Sequence, residues 1–94
     1  MRTTPEITLA ICLYNAEKHI KETLESVIAQ TMQDFHLLIV NDCSTDGSVA
    51  IIEEFFEQHP RQYEIVSFNN NQGIGHARYY AERKAMTKYM MFLD

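Results

Sequence analysis

Positive charge is scarce in this chain of 94 residues: eight Lys and Arg stand against thirteen Asp and Glu, a formal net charge of -5. Non-specific nucleic-acid binding runs on phosphate neutralisation, so no nucleic-acid partner is expected. An anionic small ligand would need a metal ion or local donors to offset the repulsion. Cysteine is scarcer still. Cys12 and Cys43 are too few for a disulfide framework and lack CxxC spacing, which fits two half-buried thiols in a reducing compartment. No apolar run approaches a membrane span, and "MRTTPEITLAI" lacks the apolar core of a signal peptide, so a cytoplasmic location is expected. His19, His36, His59 and His76 show no ligand spacing, which leaves zinc without a site. There is no internal repeat, low-complexity segment or linker, and the length allows one domain, residues 1–94.

What is present is alternation. "EITLAICL" is short, apolar and rich in Ile, Leu and Thr, a buried strand. From Ala16, residues Ile20, Leu24, Val27 and Ile28 recur at helical spacing, with Lys18, Lys21, Glu22 and Glu25 on the other face. "FHLLIV" reads as a second strand. Ser44, Thr45 and Asp46 offer helix caps, and Val49, Ile52, Phe55 and Phe56 mark a second buried stripe that ends at His59-Pro60. "YEIVSF" is a third strand. Ile74, Ala77, Ala81 and Ala85 give a third helix with a small inner face, and "KYMMFLD" is a fourth strand. Strand-helix repeats with nearly continuous apolar strands imply an α/β fold: a three-layer α/β/α parallel sheet of right-handed βαβ units, ordered 3-2-1-4.

Ligands of such sheets collect beyond the carboxyl ends of the strands. The first strand there leads to Tyr14-Asn15, the second to Asn41-Asp42, the third to Asn69-Asn70-Asn71 and the fourth to Asp94. Spacing alone leaves two readings of Asp42. It is a helix-capping Asx residue, or, since Ser44, Thr45 and Asp46 already supply caps, a carboxylate left over to accept a ring N–H. Tyr14 is a core-edge aromatic or a stacking surface for a planar ligand. "NQGIGHAR" holds Gly73-x-Gly75, but it follows the third strand and has Arg78 where a dinucleotide fingerprint needs glycine. Arg78, early in a helix, is either solvated or set to meet a phosphate or carboxylate. Asp94 is a candidate metal or ribose group, although one carboxylate makes a poor Mg²⁺ or Mn²⁺ site.

The ordered set "YN", "QT", "VND-STD", "N-G---AR" and "FLD" resembles the N-terminal, nucleotide-sugar-binding half of a family-2 glycosyltransferase with the GT-A (Rossmann-like) fold, from Ile7 to Asp94. The resemblance implies transfer of a sugar from a nucleotide-diphosphate sugar, UDP-linked by expectation, to a glycan or lipid-linked acceptor. It implies that Tyr14 lies against uracil, Asp42 hydrogen-bonds the base, Arg78 completes the nucleotide pocket, and Asp94 opens a DxD-type motif. A later Asp of that motif would bind the divalent metal, Mn²⁺ or Mg²⁺. Asn41 stands where many members have Asp, and Cys43 where Gly is common. The chain stops before the second motif Asp, the acceptor-binding half and the catalytic base. It therefore reads as a truncated, inactive piece, placed in the cytoplasm or at the membrane surface through segments it lacks. Its Tyr89–Leu93 strand is expected to be an exposed edge open to self-association. A non-catalytic nucleotide-binding or interaction fragment is the alternative. A receiver-like signalling module would want acids after the first strand, and a sugar-nucleotide pyrophosphorylase a Gly-rich loop there; neither is present.

Overall fold

The structure, a computed structural model, describes residues 5–93. Seven elements alternate: β1 (Ile7–Leu13), α1 (Ile20–Ile28), β2 (His36–Asn41), α2 (Ser48–Gln58), β3 (Glu64–Ser67), α3 (Ile74–Lys84) and β4 (Tyr89–Phe92). The four strands form one parallel sheet in the order β3-β2-β1-β4, as the alternation predicts. In the register, Leu13 lies opposite Asn41 and Asn41 opposite Ser67, so the loops after β1, β2 and β3 leave the sheet at one level. On the other side of β1, β4 reaches only from Ile7 to Ala10.

Two cores explain the continuous apolar strands. Leu9, Ile11 and Leu13 of β1 and Leu37 and Ile39 of β2 point to one face. There they bury Ile20, Leu24 and Val27 of α1 and Ile52, Phe55 and Phe56 of α2. The intervening Ala10, Leu38 and Val40 point to the other face and meet Ala77 and Ala81 of α3. Large residues fill the first layer. Methyl-sized ones let α3 lie close in the second, where a bulkier residue at Ala77 or Ala81 would overpack it.

The structure corrects three details. The helix expected from Ala16 begins at Ile20, because residues 16–19 form a turn in which the Ala16 carbonyl accepts from the amides of His19 and Ile20. The second helix begins at Ser48 with Gly47 as its N-cap, which has no side chain to cap with; Asp46 Oδ1 accepts the Ser48 amide instead. Of the expected capping residues only Asp46 serves the helix start, and Ser44 and Thr45 precede it in a loop that bonds to Asn41 and Asn15. Ile74, assigned to a buried stripe, is 54% exposed. It stands over a small cleft with Cys12, Arg78, Phe92 and Leu93. Among the described residues no helix is long and apolar enough to cross a membrane.

Candidate nucleotide site

Each of the loops leaving β1, β2 and β3 turns through one left-handed residue: Asn15 at φ 50°, Cys43 at φ 59° and Gly73 at φ 94°. Glycine reaches this region freely and asparagine with little strain, whereas cysteine there is uncommon. Such strain persists only where its surroundings over-determine the backbone, and it concentrates at functional sites.

The surroundings here are a reciprocal net of hydrogen bonds between two loops. The amide of Asn15 donates to Ser44 Oγ at 2.9 Å, that of Ala16 to Ser48 Oγ at 2.8 Å and that of Glu17 to Asp46 Oδ2 at 3.2 Å. In return, Asn15 Oδ1 accepts the amides of Thr45 at 2.7 Å and Asp46 at 3.3 Å, and Glu17 Oε2 accepts that of Gly47 at 3.0 Å. Ser48 donates its hydroxyl to Asp46 Oδ1 at 2.6 Å and its amide at 3.0 Å. Partial desolvation pushes the Asp46 carboxyl up, but the hydrogen bonds from Ser48 and the Glu17 amide outweigh it and hold the group below the usual carboxylate value. Asn41 extends the net to β3: its Oδ1 accepts the Ser44 amide and its Nδ2 donates to Ser67 Oγ, both at 3.1 Å.

Asp42 is not the unengaged carboxylate expected at a crevice. It is 1% exposed. Its Oδ1 accepts the Gln72 amide at 2.6 Å and its Oδ2 the Gly73 amide at 2.8 Å, so it ties the end of β2 to the entry of α3. Charge-assisted bonds of this length are the strong kind. Tyr14, by contrast, is 48% exposed at the end of β1. It forms one wall of a cleft of about 410 Å³ with Ile11, Leu13, His19 and Thr23. That cleft lies along the part of β1 beyond the reach of β4, and its volume suits a small-molecule ligand.

Arg78 lies on α3 with its guanidinium 4.4 Å from the centre of the Phe92 ring. Beside it, burial pushes the Cys12 thiol above its ordinary value while the Arg78 charge pulls it back. Asp94 lies outside the described residues. Among those residues, no group of three His, Cys, Asp or Glu is placed to hold a metal ion. Sequence reasoning places Asn15 and Asn41 at the strand ends without giving either a role, and misses Ser48 and Glu17. The one available signal was Asn15, an asparagine between a strand and a helix, where a left-handed turn residue is common.

Comparison with known proteins fits this geometry. A teichoic acid poly(glycerol phosphate) polymerase of Staphylococcus epidermidis is 39% identical over 89 residues, which are 95% of this chain and 12% of that relative. The putative teichuronic acid biosynthesis glycosyltransferase TuaG of Bacillus subtilis is 33% identical over 90 residues, 96% of this chain and 35% of TuaG. The chain thus spans only a minor part of these curated relatives. Among solved structures, S. aureus TarS 1-349 in complex with UDP-GlcNAc superposes with a TM-score of 0.84 at 28% identity, over 95% of this chain and 26% of TarS 1-349. The mannosyltransferase PcManGT from Pyrobaculum calidifontis, in complex with GDP-Man and Mn²⁺, gives 0.78 at 27% identity over 88% of this chain and 25% of its own. The expected GT-A fold is therefore the observed one. The model of glycosyl transferase family 2 matches residues 8–94, and the chain belongs to that family.

Proposed function

We propose that these 94 residues are the nucleotide-binding part of a single glycosyltransferase catalytic domain that takes the uridine diphosphate moiety of a sugar donor. The observation that carries this reading is the rim at the strand ends. Three loops are locked to one another through their backbones, while Tyr14 stands exposed beside a ligand-sized cleft. A rim of fixed backbone with a free ring suits a planar base, because the cost of ordering has been met before the ligand arrives. Tyr14 stacks on the base. Each Asp42 oxygen accepts one amide and keeps a second lone pair, with which the carboxylate takes the uracil ring N–H. Arg78 meets the ribose-phosphate side, and Asp94 the ribose or a metal. The UDP-GlcNAc bound by TarS 1-349 supports uridine as the base.

A divalent ion, Mn²⁺ or Mg²⁺, would neutralise the diphosphate as it leaves. The described residues do not form a metal site by themselves, and Asp94 is the chain's own further candidate. The acceptor, a glycan or a lipid-linked molecule, must lose a hydroxyl proton to a base, and no residue of the described rim is placed to take it. The 94 residues alone therefore bind donor without transferring sugar; general acid–base help is worth about 10²–10⁴-fold. Cytoplasm or the cytoplasmic membrane surface is the proposed location. Tyr89 and Met91 are 55% and 57% exposed on the β4 edge, which supports self-association through Tyr89–Leu93.

The test is an NMR titration with UDP and Mg²⁺, with GDP and pyrophosphate as comparison ligands. UDP should move the amides of residues 14–16, 42–45 and 72–78 more than pyrophosphate does, and Tyr14→Ala should weaken UDP about fivefold to tenfold, the worth of one stacked base. Equal shifts with UDP and pyrophosphate would remove base recognition from the reading, and tighter binding of GDP would reassign the base.

A further inference from the structure

Tyr14 reaches into solvent, yet both peptide units beside it are held by the chain that follows β2. The Leu13 carbonyl accepts the amide of Asp42 at 2.9 Å, and the amide of Asn15 donates to Ser44 Oγ at 2.9 Å. Two fixed peptide planes fix the φ and ψ between them, and with them the direction in which the Tyr14 side chain leaves the backbone. The first bond extends the sheet ladder and is as secure as the sheet. The second depends on where Ser44 sits.

Ser44 is placed from two sides. Behind it, Asn41 Oδ1 accepts its amide. Ahead of it, Asn15 Oδ1 accepts the amides of both Thr45 and Asp46, and Asn15 Nδ2 donates to Thr45 Oγ1 at 3.3 Å. One carboxamide thus gathers the loop after Ser44 onto the residue that follows Tyr14. Asn15 does so from a left-handed backbone that turns the chain out of β1. Asparagine is one of the few residues that combine tolerance of this backbone with a short side-chain acceptor.

We propose that Asn15 is a positioning residue for the nucleotide site: its carboxamide locks the loop between β2 and α2 onto the end of β1 and thereby fixes the backbone that aims the Tyr14 side chain. The inference rests on reading the strand-end rim as the nucleotide site, but its mechanical part is testable without any ligand. Asn15→Gly keeps the left-handed backbone and deletes the acceptor. Asn15→Asp keeps the acceptor oxygen and gives up the long donation to Thr45 Oγ1. It adds a charge to a net that already holds the Asp46 and Glu17 carboxylates, so its recovery is read at raised salt.

In the free protein, the backbone order parameters of Tyr14 and Asn15 should be those of a rigid chain in the wild type, fall in Asn15→Gly and recover in Asn15→Asp. A backbone at Tyr14 as ordered in Asn15→Gly as in the wild type overturns the proposal. With UDP as probe, Asn15→Gly should weaken binding about tenfold, the size of one or two net hydrogen bonds. The same substitution made in Tyr14→Ala should cost less than about twofold, because a residue acting through the ring has nothing left to position. Equal losses with and without the ring would mean that Asn15 acts on the fold at large, and the proposal fails. If wild type does not bind UDP at all, the nucleotide reading falls and the order-parameter measurement alone decides whether Asn15 positions the backbone of Tyr14.

Discussion

Two clefts of about 410 Å³ lie at opposite ends of the sheet, one beside Tyr14 and the other between Pro5, Gln33–His36, Arg61 and Gln62. Size does not distinguish them. The use made of polar side chains does. At the lower end they satisfy carbonyls and each other. Arg61 donates to the carbonyls of Gln33, Phe35 and Gln62 and to Gln33 Oε1, and its guanidinium lies 4.2 Å from the centre of the Phe35 ring. Glu64 takes both His36 and Lys84 at 3.0 Å. At the upper end, side chains hold backbone amides instead, and the loops they fix carry a ring into the open. Equal clefts can thus differ in what their polar side chains hold, and that difference is what favours the Tyr14 end as the proposed site.

The sharpest way to break this comparison is Asp42→Ala. It leaves two amides at the entry of α3 without their acceptor in a dry place, so we expect a loss of roughly 2–4 kcal/mol together with loss of UDP binding. Urea unfolding and a UDP titration check the pair. Arg61→Ala, at the lower end, should lose about 1–2 kcal/mol from its carbonyl and ring contacts and leave UDP affinity untouched. If Arg61→Ala weakened UDP as Asp42→Ala does, the two ends would not be functionally separate.

These residues also mark how far the sequence could be read. β1 and β2 were legible because α1 and α2 cover one face and α3 the other, which makes nearly every position apolar. The strand order followed from right-handed crossovers. The loops were harder. Ser44, Thr45 and Asp46 have the composition of a helix cap, and nothing local says that Asn15, about thirty residues earlier, claims the amides of Thr45 and Asp46. Asp42 was singled out for its position at a strand end, but its partners, the amides of Gln72 and Gly73, are backbone groups with no sequence signature. Tyr14 was legible as an exposed ring at a strand end, and the frame that holds its backbone was not.

A smaller effect separates the ends by their electrostatics. Hydrogen bonding from Lys84 comes first in holding the Glu64 carboxyl below its ordinary value, against some desolvation and with help from His36. A carboxyl depressed on folding adds stability that is present above its unfolded value, about 4.3 for Glu, and that is lost as pH falls through the lower folded value. Because the Glu64 side chain is 39% exposed, solvent discounts this to a few tenths of a kcal/mol, at most about 1. Asp46 is depressed in the same direction, but by neutral donors. Glu64→Gln should therefore flatten the acid limb of the stability curve at low salt and lose that effect near 1 M salt, where charges are screened. The effect of Asp46→Asn should survive the salt. Thermal melts between pH 3 and 6 at two ionic strengths read both.

The smallest expected effect is at Cys43, and it asks whether the upper rim stores strain. Its backbone lies at φ 59°, where an L-residue other than asparagine or aspartate costs roughly 1–2 kcal/mol. Glycine removes that cost. It also raises the entropy of the unfolded chain, at roughly 0.5–1 kcal/mol. Cys43 is only half-buried, so little packing is lost. The balance favours Cys43→Gly by about 0.5 kcal/mol. Cys43→Ala should sit at or slightly below the wild type, since it keeps the strain and loses the thiol. Their order, not either value alone, is diagnostic: glycine above cysteine above alanine shows that the loop after β2 is held in a conformation its own residue resists. The hydrogen bonds from Asn41 and Asn15 to the residues just beyond Cys43 supply the holding force. In an Asn15→Gly background the loop is free to relax, and the advantage of glycine at position 43 should shrink. An unchanged advantage there would show that Asn41 and the sheet hold Cys43 without help from Asn15.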